Sequence, residues 1–250
     1  LGAALPADEV WIWTDVDGVM SADPRIIPDA FTIDELTYRE VSELAYAGAK
    51  VLHPKTIRPV IEAGIGLRVL NTFNPTHPGT RLVAELQPLN NGKIVKSVTA
   101  IRGMKLVTLE GRGMLGVPGV AARTFSAIAR TGTSISLISQ ASSEQAICFS
   151  VPQNAVQPVF QALQSEFRYE FERKDLDRVW ATDEVVLMTV VGEGMKHTPG
   201  VAGKVFSALG NKSINVIAIA QGSSEVSISF VLRVEDIRAA AQALHELVIK

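Results

Sequence analysis

The strongest constraint on this chain is that it repeats itself. Residues 117–151, VPGVAARTFSAIARTGTSISLISQASSEQAICFSV, align without a gap on residues 198–232, TPGVAGKVFSALGNKSINVIAIAQGSSEVSISFVL, at an offset of 81 residues. Each copy opens on Pro-Gly and passes through a helix-spaced stretch, a strand, a Gln-x-Ser-Ser-Glu turn and a second strand. One more strand precedes each copy, Lys105–Leu109 and Val185–Val191, and a helix follows each, Ala155–Ser165 and Val234–Glu246. The order β-α-β-β-α predicts a split βαβ sandwich, which needs a fourth strand.

The two copies differ in where that strand comes from. The first has Phe167–Glu172 to use; the second has only Leu247-Val248-Ile249 after its last helix, and a sheet short of a strand exposes an edge. The run Ile94–Ile101 (IVKSVTAI), upstream of the first copy, is expected to fill the place. One repeat is then inserted within the other, and the two are interdependent. The expected division is 93–103 as a strand given to the second repeat domain, 104–182 as the first and 183–250 as the second.

Residues 1–86 read differently. EVWIWT at 9–14 is a strand, Thr37–Ala49 and Thr56–Ala63 are helices, and GLRVLN at 66–71 and Arg81–Glu85 are strands. Such alternation predicts an α/β unit with a mostly parallel sheet. Polar, turn-rich Gln87–Lys93 marks its boundary. A hydrophobic content of 47% suffices for a core, while a formal net charge of -2 offers no basic field for nucleic acid. No apolar run approaches the roughly 18 residues of a membrane span. The single cysteine, Cys148, excludes an intrachain disulfide and reads as a small core residue. The opening Leu1-Gly2-Ala3-Ala4-Leu5 has neither an initiator Met nor a signal-peptide pattern, so a piece of a longer protein is expected.

Two regions offer chemistry. Thr14-Asp15-Val16-Asp17-Gly18 places carboxylates at the end of a strand, where open α/β sheets bind ligands. It reads as a solvated turn or as a nucleotide loop, with Thr14 and Asp15 bonding and Arg25 and Lys50 supplying charge to phosphates. A calcium loop fits poorly, because glycine falls at its fourth position. A phosphatase of the haloacid-dehalogenase kind lacks room for its later motifs. His53, before a proline, reads as a structural hydrogen-bonder, His77 and His197 sit in turns with no partner at metal-ligand spacing, and His245 lies on a terminal helix. The second region is the pair of glycine-containing loops, Gly111–Gly116 and Gly192–Met195. Neither is a complete phosphate loop, yet a helix start there can receive the carboxylate of a small zwitterion, with Gln140 or Gln221 on its polar group. A purely structural role for the duplicated turns weighs equally.

TDVDGVMSADPR at 14–25, GAKVLHP at 48–54 and the QASSE and QGSSE turns together resemble the aspartokinase family, from end to end of the chain. The resemblance implies the last third of an amino-acid-kinase domain followed by two ferredoxin-like βαββαβ ACT domains. The second repeat looks especially like threonine-sensitive and bifunctional aspartokinase–homoserine dehydrogenases. It implies transfer of the ATP γ-phosphoryl group to the side chain of L-aspartate, with Mg²⁺ accompanying the nucleotide. Thr14, Asp15, Met20, Arg25, Lys50 and Val51 would then contact nucleotide, Met20 standing where the family often has tyrosine. Ile138 with Gln140, and Ile219 with Gln221, would contact an effector, threonine or lysine, in a homodimer or tetramer joined through ACT domains. A cytoplasmic protein, or a plastid one in a plant, is implied. The family's Lys-Phe-Gly-Gly and Arg-Gly-Gly-Ser-Asp motifs do not occur in these 250 residues, so no turnover is expected of the chain by itself. A regulatory amino-acid-binding protein without catalysis is the alternative.

Overall fold

The computed structural model describes residues 2–5, 7–49, 52, 54–85, 94–114, 116–140 and 145–249. Its first unit is a four-stranded sheet in the order β1 (Glu9–Thr14), β3 (Gly66–Asn71), β4 (Thr80–Val83), β2 (Glu35–Thr37). β1 and β3 are parallel, as are β2 and β4, while β3 and β4 are antiparallel. Helix α1 (Tyr38–Tyr46) begins at a capping box: Thr37 Oγ1 accepts from Glu40 N, and Glu40 accepts in return from Thr37 N. Helix α1 buries Val41 and Leu44 with Leu36, Leu67 and Leu82, beside α2 (Pro54–Glu62).

Both repeats share a seven-stranded sheet, β10-β11-β9-β5-β7-β6, with β8 also paired to β5. The first repeat contributes α3 (Val120–Ala129), β6 (Leu137–Gln140), β7 (Ala146–Pro152), α4 (Val156–Glu166), α5 (Arg168–Glu172) and β8 (Arg178–Ala181). The second contributes β9 (Val185–Val191), α6 (Val201–Gly210), β10 (Ala218–Gln221), β11 (Ser227–Arg233) and α7 (Ile237–Ile249). Strand β5 (Ser97–Glu110) belongs to both. Its Ser97–Ile101 half pairs with β9, and its Met104–Glu110 half pairs with β7 and, from Val107, with β8. The register shifts between Ile101 and Met104, where Gly103 takes a φ of 71°. Ser97–Ile101 of the upstream run and Lys105–Leu109 are therefore one strand through a bulge, with residues 94–96 ahead of it.

Phe167–Glu172 is not a strand. Phe167 and Phe171 lie four residues apart and pack together into the first repeat's core, while Arg168 pairs with Glu172 one turn on. The need for a fourth strand pointed to this run; the spacing of its aromatic residues makes helix. The strand in that place is β8, which follows α5 at Arg178–Ala181.

Strand β9 is buried along all seven residues. Val186, Met188 and Val190 face α6 and α7, whereas Val185 and Leu187 join Met104, Leu106, Leu137 and Val231 in a second layer between the repeats. β6 and β10, at opposite ends of the strand order, approach each other across that layer. No helix among the described residues is long and apolar enough to cross a membrane.

Candidate functional site

The parallel pairing of β1 and β3 sets Thr14 beside Asn71 at the carboxyl ends of both strands. Thr14 Oγ1 donates to Asp15 Oδ1 at 3.1 Å, and Asp15 is exposed. Asp17 is the better-held carboxylate. It accepts from Asn71 Nδ2 at 2.8 Å and from Asn74 Nδ2 at 3.1 Å. Those amides, Asn71 first, with a small contribution from the field of His77, hold its carboxyl below the usual range. Sequence reading passed over Asn71 and Asn74; the available signal was the NTFNP turn directly after a strand. Gly18 is required here: its φ is 134°, and a Cβ would stand 2.5 Å from Thr80 Oγ1, which accepts from Val19 N.

Met20 bridges Thr32, and its carbonyl accepts from Ser97 Oγ at 3.1 Å. The Arg25 guanidinium is exposed but engaged, forking onto Asp23 at 3.0 and 2.8 Å. That pair raises the Arg25 pKa and depresses the Asp23 pKa. Charge for a phosphate would come from an arginine that shares Asp23. Lys50, Val51 and His53 lie outside the described residues.

The segment beyond Met20 packs away from its own unit. Ala22 and Ile27 are buried in the second repeat's core, and the fully buried Ser21 sits 2.9 Å from His245 Nε2 on α7. His245, placed by sequence on a terminal helix, is 3% exposed.

The repeats' helices begin alike. Gly119 before α3 and Gly200 before α6 have φ of 88° and 83°, and neither helix start has a side-chain cap. The first-turn N–H groups thus lack the side-chain oxygen that usually meets them. Beside the α3 start is a cavity of about 330 Å³ lined by Met114, Gly116, Pro118, Gly119, Val120 and Gln140. Ile138 and Gln140 are exposed on β6, alternating with Leu137 and Ser139; Ile219 and Gln221 occupy the same places on β10. Residues 141–144 of the first turn are outside the description. In the second, Glu225 accepts from His197 N at 2.9 Å. Gly111, Gly113 and Gly192 have a packing role: a Cβ would meet Asp175 O at 2.5 Å, Asp175 Cα at 2.6 Å and Ile94 O at 2.3 Å.

Comparison with known proteins follows the same division. The ACT domain family matches residues 107–167 and 188–247, and the amino acid kinase family matches residues 1–71. Bifunctional aspartokinase/homoserine dehydrogenase 1 of Arabidopsis thaliana is 41% identical over 248 residues, 98% of this chain and 27% of its own length. The bifunctional enzyme of Haemophilus influenzae is also 41% identical over 248 residues, covering 98% of this chain and 30% of its own. The crystal structure of Clostridium acetobutylicum aspartate kinase superposes with a TM-score of 0.87 at 26% identity, over 99% of this chain and 56% of that one.

The chain belongs to the aspartokinase family.

E. coli aspartokinase III, solved with aspartate and ADP, matches over 100% of this chain and 54% of its own, with a TM-score of 0.81 and 28% identity. The chain spans 27–30% of the length of the bifunctional relatives named above.

Proposed function

We propose that this chain is the nucleotide-side and regulatory portion of an aspartate kinase that transfers the γ-phosphoryl group of ATP to the side-chain carboxylate of L-aspartate, giving 4-phospho-L-aspartate. Feedback control by an end-product amino acid, threonine, acts through the ACT domains. The observation that carries the reading is the likeness to bifunctional aspartokinases along 98% of the chain. Thr14 and Asp15 hold the nucleoside end, Met20 packs beside it, and Arg25 with Lys50 and the backbone at Val51 meet phosphate. Their work is positioning and charge neutralisation, since the substrate carboxylate is itself the nucleophile. Among the described residues no three His, Cys, Asp or Glu side chains gather around a metal position. Mg²⁺ would accompany the nucleotide phosphates. Turnover by this chain alone is not expected, because the family's two substrate motifs are not in it.

For the effector, a cavity of about 330 Å³ is at the small end of the range for small-molecule clefts, roughly 300–1,000 Å³. The α3 start offers N–H groups to a carboxylate, Gln140 offers an amide, and Pro118 and Val120 offer an apolar wall, with Ile138 exposed on the same face of β6 as Gln140. Assembly as a homodimer through the exposed faces of the repeats, and residence in cytoplasm or plastid, complete the proposal.

Isothermal titration of the chain with threonine, lysine and methionine tests it. Heat is expected with threonine, and Gln140→Ala should weaken it by roughly 10-fold or more. Heat with lysine alone would overturn the choice of threonine.

A further inference from the structure

Helix α1 and its C-terminal cap offer three polar groups to one side, the Glu40 and Glu43 carboxylates, three residues apart on one helix face, and the Ala47 carbonyl. Each of the three is bonded to the second repeat or to the half of β5 that serves it. Glu40, fully buried, accepts from Lys96 Nζ at 3.0 Å and from Glu193 N at 2.7 Å. Glu43 accepts from Ser227 Oγ at 2.7 Å, and the Ala47 carbonyl accepts from Thr99 Oγ1 at 3.1 Å. At the exit of α1, Gly48 approaches so closely that a Cβ would lie 2.7 Å from Ile101 Cγ1. Thr37 Oγ1 adds a bond back to Glu193 Oε2 at 3.2 Å.

The apolar contacts have the same destination. Val191 and Val226 enter the core of α1, while Ala22 and Ile27 enter the core of α6 and α7. The helix-side core of the first repeat, by contrast, is drawn wholly from residues 107–181, and only its other face shares a layer with Val185, Leu187 and Val231. Position 193 of the second copy corresponds to position 112 of the first, and there the difference is plain. Glu193 faces α1, whereas Arg112 pairs with Asp177 inside its own repeat, at 3.8 Å.

We propose that the second repeat is the mount on which α1 and the 20–31 segment are positioned, with Glu40 and Lys96 as positioning residues, and that these parts open as one body while the first repeat opens separately. The functional meaning rests on the aspartate-kinase reading, in which Met20 and Arg25 of the mounted segment, and Lys50 shortly after α1 in the sequence, contact nucleotide. A ligand that moves the Glu193–Met195 loop then moves Glu40, and by linkage nucleotide bound beyond α1 alters that loop's affinity in the same measure.

Native-state hydrogen exchange of the 250-residue chain over a urea series tests this without any ligand. Amides of α1 and residues 20–31 are expected to converge on the opening curve of α6 and α7, and amides of α3 on another. Thr99→Val with Ser227→Ala removes two bonds while preserving shape, and should speed exchange across 38–49 by roughly 10-fold or more, leaving α3 unchanged. Thr99→Ser, which keeps the hydroxyl, should behave as wild type. Convergence of α1 with α3, or an α1 indifferent to the paired substitution, overturns the proposal. Threonine titration of the same samples separates the two readings. Absence of heat counts against the effector proposal, and the exchange pattern alone decides this one.

Discussion

Lys96→Met is the most informative single change in this chain. Lys96 is 8% exposed and Glu40 is 0%, so the substitution removes the cation from a carboxylate that water cannot reach. Breaking a buried pair from one side costs about 3–5 kcal/mol, because the remaining charge is uncompensated. Two backbone donors stay on Glu40, Thr37 N and Glu193 N, each at 2.7 Å, which favours the lower figure. With a urea m-value of about 1–3 kcal/mol/M, a loss of about 3 kcal/mol moves the midpoint down by roughly 1–3 M. Trp180→Phe is the appropriate background, since the chain has three tryptophans and the other two, Trp11 and Trp13, lie on β1 of the unit in question. Adding Glu40→Gln should recover about 1–2 kcal/mol, within the usual coupling of neighbours in one network. The amide keeps an acceptor for a backbone N–H and carries no charge. A midpoint shift below about 0.5 M, or a double variant as unstable as the sum of the singles, would refute the reasoning.

Other outcomes follow from single features. Gly79→Ala should cost more than about 2 kcal/mol or yield insoluble protein, since its φ is 70° and a Cβ would stand 2.1 Å from the Val69 carbonyl oxygen; thermal unfolding and soluble yield report it. Phe149→Ala, at a fully buried position in the first repeat, should cost about 3–5 kcal/mol by urea unfolding in a chain with Trp180 as the reporter. Ser21→Ala leaves Phe31 N and His245 without the hydroxyl each uses, and should lower stability by about 1–3 kcal/mol. Arg123 depresses the pKa of both Glu166 and Glu170. Their contribution to stability is present at neutral pH and is lost as pH falls below the ordinary glutamate range, about 4.3, through the lowered native values. Arg123→Met should flatten that acid limb when unfolding is followed between about pH 5 and 2.

What the sequence disclosed and what it withheld divide along physical lines. The repeat, the loop after β1 and most of the strand expected at 94–101, from Ser97 on, were legible because periodicity and local turn chemistry encode them. β5 was legible as two pieces but not as one, since the bulge at Gly103 interrupts alternation without ending the strand. Phe167–Glu172 misled because an aromatic run suits either structure, and burial of Phe167 with Phe171 is a tertiary matter. Nothing local announced Glu40. It looks like an ordinary capping-box residue, and its partners Lys96 and Glu193 lie 56 and 153 positions away. His245 and Ser21 are 224 apart. In the candidate sites, Gln140 and Gln221 were visible by duplication, whereas the amides that fasten Asp17 were not, because only the parallel pairing of β1 with β3 brings them to it.

The undivided β5 sets a rule for cutting this protein. A piece beginning at residue 104, after the bulge, keeps the strand partners of β7 and β8 but strips β9 of its neighbour along Ser97–Ile101. Val190 and Met188 would then border an unpaired edge, and a chain trimmed there is expected to aggregate or to borrow the missing strand from another copy. Any soluble regulatory piece should therefore begin upstream of Ser97, and the smallest separable portion of this half of the molecule contains both repeats together.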